Sequence, residues 1–194
     1  MVSLLGKILS RKPKCPYCQY ELPKVPRNKA KCPQCRQQIY VKALPPKWDK
    51  ALYTETQAKE IEQQEKQSKQ KEADEKWRQL NQDLQQAMRR GDYQAMRDLY
   101  RDMALEAHRR GKTSLKLQEV AHEMELRHYQ QTGIGKAEVL GTNCCDACQT
   151  QNGLVIDVSE GIKNQPIPYK GCTNKINHAA PDCWCVCTYI PVAG

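Results

Sequence analysis

Two cysteine pairs near the start of the chain share one pattern: a cysteine, a proline, one further residue and a second cysteine. They are Cys15-Pro-Tyr-Cys18 and Cys32-Pro-Gln-Cys35. A two-residue gap lets both sulfurs of a turn reach one metal ion, at about 2.3 Å for zinc, and two such turns supply four tetrahedral ligands. The intervening residues, 19–31, are long enough for a hairpin. The spacing therefore predicts a zinc ribbon over residues 13–44.

Two other uses of these cysteines remain open at this point. Disulfides would need an oxidising compartment, and iron–sulfur ligation would normally show the cysteine runs of ferredoxins. In residues 1–10 an apolar stretch is interrupted by Lys7 and followed by basic residues, whereas a secretory signal has its basic residues first. No stretch approaches the roughly 18 apolar residues of a membrane span. We therefore expect a cytoplasmic protein without a membrane span.

Residues 1–12 form a short amphipathic segment. One side of a helix over this segment would carry four apolar side chains: Leu4, Leu5, Ile8 and Leu9. Such a helix could bind a membrane surface or a partner. We favour packing against its own chain.

The composition leaves little material for one large core. Hydrophobic residues make up 39% of the chain, phenylalanine is absent, and the mean hydropathy is -0.81. A small domain of this kind needs an additional staple, and a structural zinc supplies on the order of 10 kcal/mol of binding energy that becomes folding energy. We therefore expect a small, metal-stabilised α+β fold with zinc organising both ends.

Positive charge is concentrated in the first quarter of the chain. Residues 1–50 hold 12 Lys or Arg against Glu21 and Asp49, a net of +10 in a chain whose total is +9. A compact basic module can bind the phosphates of DNA or RNA. Equally, the lysines could simply keep a small exposed module soluble.

The candidate phosphate contacts lie between the cysteine pairs and just after them. They are Lys24, Arg27, Lys29, Lys31, Arg36 and Lys42. No helix suited to reading bases is apparent, so the pattern does not indicate sequence-specific recognition.

Residues 45–90 form a cysteine-free spacer rich in Gln, Glu and Lys, which favour helix. Apolar residues are sparse over 51–73, which predicts an exposed helix or a partly ordered linker there. From residue 77 the apolar spacing tightens into a stripe that can pack. The stripe is Trp77, Leu80, Leu84 and Met88.

Residues 91–132 predict an αα-hairpin, because two amphipathic segments follow the break at Gly91 and are joined by a short connector at Gly111. The apolar face of the first is Tyr93, Met96, Leu99, Tyr100, Met103 and Ala107. That of the second is Leu117, Val120, Ala121, Met124 and Tyr129.

The histidines of this hairpin do not form a recognisable catalytic pattern. His122-Glu123 would begin a zincin signature, but Leu126 occupies the position of the second histidine. We therefore expect His108, His122 and His128 to lie on the helix surface.

Residues 133–194 predict a cysteine-rich β module with a second zinc site. The module contains seven cysteines: Cys144, Cys145, Cys148, Cys172, Cys183, Cys185 and Cys187. Short strands are expected at 137–140 and 154–158. The run 183–187 would place its alternating sulfurs on one face if extended.

The preferred ligands of this second zinc are Cys145, Cys148, Cys183 and Cys185. Because zinc takes four ligands, Cys172, His178 and Cys187 are substitutes for one of them. The alternatives are a disulfide or buried free thiols.

The same region carries a family resemblance. It contains Glu138-Val-Leu-Gly-Thr-Asn, the pair Cys145-x-x-Cys148, Gln151-Asn-Gly153 and the closing run Pro181-Asp-Cys183-Trp-Cys185-Val-Cys187. This order resembles the C-terminal module of phage Mu F-like minor head (head morphogenesis) proteins, over about 50 of the 194 residues. The family closes with His-Pro-x-Cys-Arg-Cys.

In this chain Ala180 and Trp184 replace the histidine and the arginine of that closing motif, and His178 lies two residues earlier. The resemblance implies a metal-binding module and a role in phage heads or packaging. Its implied partners are capsid or portal components.

Catalysis is not predicted. A zinc deaminase needs His-x-Glu and Pro-Cys-x-x-Cys, whereas Pro181-Asp-Cys183-Trp-Cys185 spaces its cysteines differently. The one base close in sequence to a candidate thiol nucleophile is His178, near Cys172 and Cys183, and a zinc-bound cysteine cannot also serve as a nucleophile.

The sequence therefore predicts a non-enzymatic, two-zinc adaptor, a virion-associated accessory of phage head morphogenesis or packaging. One alternative is a cytoplasmic nucleic-acid-binding zinc-ribbon regulator. A Cys/His hydrolase or nuclease is the third hypothesis.

Overall fold

The computed structural model describes residues 12–44 and 49–192. The predicted amphipathic segment 1–12 lies outside these ranges apart from Lys12. The α+β class is confirmed, including the long helix, the αα-hairpin and a small cysteine-rich β module. The chain divides into two compact units, of which the first ends at Ala73 and the second begins at Asp74.

The first unit is built on an antiparallel sheet of three strands in the order β1-β2-β3. They are β1 (Ala30–Lys31), β2 (Gln38–Leu44) and β3 (Asp49–Tyr53). The register of β2 on β3 places Tyr40 opposite Tyr53 and Val41 opposite Leu52. The sheet therefore continues past residue 44, where the sequence had placed the end of the ribbon.

Helix α1 (Glu55–Arg90) follows the sheet after a single residue. It begins with a reciprocal pair of hydrogen bonds: Gln57 N donates to Thr54 Oγ1 at 3.3 Å, and Thr54 N donates to Gln57 Oε1 at 3.0 Å. This is the capping-box arrangement, which satisfies backbone donors that the first turn leaves unpaired. The predicted spacer is thus helical from residue 55 onward, including the polar stretch to residue 73.

The predicted apolar stripe of α1 needs one correction. Leu80 and Leu84 are buried as expected, but Met88 is 57% exposed and Ala87, at 0% exposure, takes its place. Ala87 follows Leu84 and Leu80 at spacings of three and seven, so it lies on the same helical face.

The hairpin consists of α2 (Tyr93–Arg109) and α3 (Leu115–Gln131). Ala95 N donates to Asp92 Oδ1 at 3.0 Å, which caps the start of α2. Gly111, at φ +70°, ends α2, because its left-handed conformation suits the residue after a helix. Met96 and Met103 of α2 pack with Leu80 and Leu84 in one core cluster.

Helix α3 is packed on more than one side. Leu117 and Met124 border the cluster of the long helix, whereas Leu126 and Tyr129 belong to the core of the cysteine-rich module. The hairpin and that module are therefore parts of one compact unit.

This packing overturns the prediction that the hairpin histidines lie on the surface. His108 is fully buried and His122 is 7% exposed. Only His128 is partly exposed as expected, and its ring is stacked at an angle against Tyr129.

The cysteine-rich module contains a second antiparallel sheet, in the order β5-β4-β6. Its strands are β4 (Lys136–Leu140), β5 (Val155–Asp157) and β6 (Thr188–Pro191). Two short helices, α4 (Asp146–Gln149) and α5 (Val158–Asn164), complete it. Strand β6, α4 and α5 were not predicted. Across both described ranges, no helix has the length and apolar character needed to cross a membrane.

Candidate metal centres

The first candidate centre is formed by the two N-terminal cysteine pairs. Sγ of Cys15 lies 3.8 Å from Sγ of Cys35, and Sγ of Cys18 lies 3.7 Å from Sγ of Cys32. All four sulfurs lie within 4.8 Å of one another. A tetrahedron with metal–sulfur bonds of about 2.3 Å has sulfur separations of about 3.8 Å. These four residues can therefore hold a metal ion.

The two turns that carry these cysteines have the same backbone structure. Gln19 N donates to Cys15 O at 3.0 Å, and Arg36 N donates to Cys32 O at 2.9 Å. Gln19 and Arg36 have φ values of 60° and 59°, in the left-handed region that side chains other than glycine rarely adopt. The proline after the first cysteine fixes φ in both turns. The local sequence thus presents two matched pairs of sulfurs.

Backbone amides around the centre favour thiolates. Burial opposes ionisation of Cys32, but the amides of Cys35 and Gln34 lower its pKa to about 7. The amide of Gln37 favours the Cys35 thiolate, yet burial and the neighbouring thiols outweigh it and raise the pKa of Cys35 to about 12. Four adjacent sulfurs cannot all ionise without a cation between them. A bound metal ion would supply that cation.

The second candidate centre contains two trios of cysteines that share one member. Cys145, Cys148 and Cys172 lie within 4.8 Å of one another, and so do Cys148, Cys185 and Cys187. Sγ of Cys145 is 3.9 Å from Sγ of Cys172, and Sγ of Cys148 is 3.9 Å from Sγ of Cys185. All eleven cysteines lie in the described ranges, and each is free. The structure therefore contains none of the disulfides considered as an alternative.

This second set differs from the predicted one. Cys172, predicted as a substitute, joins the predicted pair Cys145 and Cys148, whereas Cys183 belongs to neither trio. His178 is exposed and also stands outside both groups among the described residues. The sequence could not show that the loop carrying Cys172 returns to the Cys145-x-x-Cys148 pair, because no local pattern links residues so far apart.

Helix α3 holds the closing cysteine run in place. Gln118 Nε2 donates to Cys183 O at 2.8 Å, and Cys185 N donates to Gln118 Oε1 at 2.9 Å. Gln118 is 3% exposed and uses both ends of its amide in these contacts. Beyond Cys183 the run brings both Cys185 and Cys187 to Cys148, as expected for alternate residues of extended backbone.

A carboxylate of the same run caps α3. Ser114 N and Leu115 N, at the start of the helix, donate to Asp182 Oδ2 at 2.5 and 2.6 Å. These amides are unpaired within the helix, and the helix dipole favours a negative charge there. Asp182 was not identified from the sequence, because the helix it caps lies 68 residues away.

His108, Ser114 and Asp182 resemble a catalytic trio in composition but not in arrangement. His108 Nδ1 lies 3.2 Å from Ser114 Oγ and 3.5 Å from Asp182 Oδ1, while Ile176 N donates to His108 Nε2 at 3.2 Å. Nε2 is therefore an acceptor and Nδ1 carries the proton. Ser114 is 1% exposed, and Trp184 packs 5.7 Å from the His108 ring, between ring centroids. The trio joins the hairpin to the cysteine run.

The thiols of the second centre differ sharply in acidity. Thr173 N donates to Cys145 Sγ at 3.4 Å and, against burial, lowers the pKa of Cys145 to about 6. Burial raises the pKa of Cys172 and of Cys187 to about 12, and that of Cys148 far above its ordinary value. With pKa values this high, these thiols would ionise near neutral pH only beside a cation. A bound metal ion is such a cation, and it binds the thiolate form.

The predicted phosphate contacts of the ribbon fall into two groups. Lys24, Arg27, Lys29, Lys31 and Arg36 are exposed. Lys42, with 19% of its side chain exposed, instead forms ion pairs with Glu65 at 3.4 Å and Glu62 at 3.8 Å on α1.

Comparison of the chain with models of protein families, with curated proteins and with solved structures gives no match. The resemblances to zinc ribbons and to Mu F-like proteins therefore stay predictions.

Proposed function

We propose that the protein is a non-enzymatic zinc-binding adaptor, with a zinc-stabilised basic ribbon that binds nucleic acid and a zinc-stabilised C-terminal module that binds a protein partner. The observation that carries the proposal is that each compact unit has its own cysteine centre. Tetrahedral sets of thiolates select zinc or iron–sulfur clusters among biological metals. The isolated four-sulfur geometry of the first centre fits a single ion.

The nucleic-acid part of the proposal is supported by the ribbon's surface. Five of the six candidate basic side chains are exposed, and the ring of Tyr20 is 40% exposed beside them in sequence. Basic side chains bind phosphates, and an exposed aromatic ring offers a surface on which a base can stack. Such contacts need no base-reading helix and give binding with little sequence preference.

The partner and the compartment follow from the resemblance stated above. On the strength of the cysteine order in residues 138–188, we assign the C-terminal module to a phage capsid or portal partner, with the protein cytoplasmic before assembly into the virion. The rival function, a cytoplasmic nucleic-acid-binding regulator, shares the ribbon chemistry. Co-purification with capsid or portal proteins would favour the first, whereas nucleic-acid binding without any such partner would favour the second.

Native mass spectrometry of the full chain tests the zinc proposal. We expect zinc in both centres of protein prepared under reducing conditions, and loss of the ribbon zinc in Cys15→Ser or Cys32→Ser. A chain that is folded and free of metal, or that carries iron, would contradict it.

A salt titration tests the nucleic-acid proposal. Each phosphate contact contributes about -0.9 to the slope of log K against log salt concentration on duplex DNA. Replacing Lys24, Arg27 and Lys31 with Gln should therefore make the slope less steep by about 2 to 3. The matched control replaces Lys66, Lys69 and Lys71, three exposed lysines of α1, with Gln. Equal effects of the two triple variants would mean that net charge alone drives binding.

A further inference from the structure

The two cysteine trios of the second centre share Cys148. A shared ligand affects how many metal ions the centre can hold. Cys148 is fully buried, and Cys185 and Cys187 are 6% and 1% exposed. Cys145 and Cys172 approach the same sulfur from the other trio. A thiolate sulfur has enough lone pairs to bind two metal ions at once.

A single tetrahedral site does not accommodate this arrangement. In a four-thiolate site all six sulfur separations are about 3.8 Å. Cys185 is 3.9 Å from Cys148, yet it does not join Cys145 and Cys172 in one mutually close group, as the four ribbon cysteines do. It is grouped instead with Cys187, two residues later. One ion bound to Cys145, Cys148, Cys172 and Cys185 would also leave the buried Cys187 thiol without a role.

The number of cysteines fits two ions with one shared ligand. Two four-coordinate ions that share one sulfur need seven sulfurs, and the chain after residue 140 contains seven cysteines. The two cysteines outside the trios, Cys144 and Cys183, are close in sequence to members of them: Cys144 directly precedes Cys145, and Cys183 lies two residues before Cys185. Cys144 also packs against the core cluster that contains Cys148, Cys185 and Cys187.

We propose that residues 144–187 hold a binuclear zinc–thiolate cluster in which Cys148 bridges two ions. One ion is bound by Cys145, Cys148 and Cys172, and the other by Cys148, Cys185 and Cys187. Cys144 and Cys183 complete the two sets of four ligands. This inference rests on the proposed zinc binding and goes beyond it, since the proposed function requires only one ion in this module.

Charge favours the shared ligand. Two separate four-thiolate sites carry a total charge of -4, whereas two divalent ions with seven thiolates carry -3. Burying less net charge reduces the desolvation cost. The bridging position falls to Cys148, whose sulfur is among the least solvated of the centre.

Zinc stoichiometry of the full chain measured by native mass spectrometry tests the proposal. We expect three zinc ions per chain, one in the ribbon and two in the C-terminal module. Cys187→Ser and Cys144→Ser should each reduce the count to two, and Cys148→Ser should reduce it to one. His178→Ala changes an exposed histidine that was a candidate ligand, and it should keep three.

A second measurement does not depend on variants that fold. In the wild-type chain reconstituted with cadmium, a bridging sulfur couples the two C-terminal cadmium nuclei, and their NMR signals should split each other while the ribbon signal stays single. A wild-type count of two with one uncoupled C-terminal signal, or a Cys187→Ser chain that keeps every ion, would overturn the bridge and leave the proposed function intact. A C-terminal module that binds no zinc would overturn both.

Discussion

The two cysteine centres have similar ligands but very different support. Within the described part of the ribbon, the buried cluster consists of Leu22, Ile39 and two of the candidate metal ligands, Cys15 and Cys32. The second centre is continuous with a larger core that includes Leu126, Val139, Ile167 and Tyr189. We therefore expect metal coordination to replace a core in the ribbon and to be added to one in the second unit.

Removing the proposed ribbon zinc should give the largest effect. Cys32→Ser should unfold residues 13–44, because binding energy on the order of 10 kcal/mol is lost from a region with almost no other core. Helices α2 and α3 should keep their structure. Backbone amide chemical shifts measure both regions in one experiment. Chemical shifts of residues 13–44 that match those of the wild type would contradict the idea that metal takes the place of a core in the ribbon.

The second prediction concerns Gln118, which links α3 to the closing cysteine run. Gln118→Ala should lower the free energy of unfolding of the second unit by about 2 to 4 kcal/mol, because it leaves the partly buried Cys183 O and the buried Cys185 N without partners. The measurement is urea denaturation followed by helical circular dichroism, together with zinc content. The control is Gln130→Ala, an exposed glutamine of the same helix. Equal stability of the two variants would show that the link is not stabilising.

The difference between the centres also explains what the sequence could reveal. A Cys-Pro-x-Cys turn is local, and its hydrogen bonds join residues four apart, so the ribbon set was predictable from spacing. Cys172 reaches Cys145 across 27 residues, and Gln118 reaches Cys185 across 67. No periodicity encodes such contacts. The polar residues that face the cysteine module, including His122 and Glu125, also made the buried face of α3 look like surface.

Glu125 illustrates this effect. It is 4% exposed, and it is satisfied by Arg97 Nη1 at 3.2 Å and by Tyr189 N at 3.4 Å. Burial opposes its ionisation, but the neighbouring His122 and Arg97 lower its pKa. A buried charge with these partners is compatible with a core, although its residue type predicts exposure.

The third prediction concerns the cap supplied by Asp182. Asp182→Asn should lower the free energy of unfolding near neutral pH by about 1 to 2 kcal/mol, because a charged acceptor at a helix N-terminus is replaced by a neutral one. Burial opposes ionisation of Asp182, but the amides of Leu115 and Ser114 hold its pKa below the ordinary value. Because the pKa of Asp182 is lowered on folding, its carboxylate stabilises the fold at pH values above its unfolded pKa of about 4. This contribution is lost as the pH falls through the folded pKa.

The stability difference between Asp182→Asn and the wild type should therefore be largest near neutral pH and shrink in acid. Urea denaturation at a series of pH values measures it. Asp102→Asn, at an exposed position of α2, serves as the control and should show little difference at any pH. A constant difference across the series would mean that the carboxylate charge is not what stabilises α3.

The smallest expected effect concerns the difference between the exposed and the ion-paired lysines of the ribbon. Lys31 is exposed, whereas Lys42 already has Glu62 and Glu65 as partners, so a phosphate at Lys42 would have to displace a carboxylate. Lys31→Gln should make the salt slope of DNA binding less steep by about 0.9, and Lys42→Gln should change it by much less. The Lys42 variant should also lose no more than about 1 kcal/mol of stability, as is typical of exposed ion pairs. A Lys42→Gln variant that made the slope less steep by as much as Lys31→Gln would mean that the ion pairs between Lys42 and α1 open when DNA binds. In that case DNA binding by the ribbon would also change the contacts of the long helix.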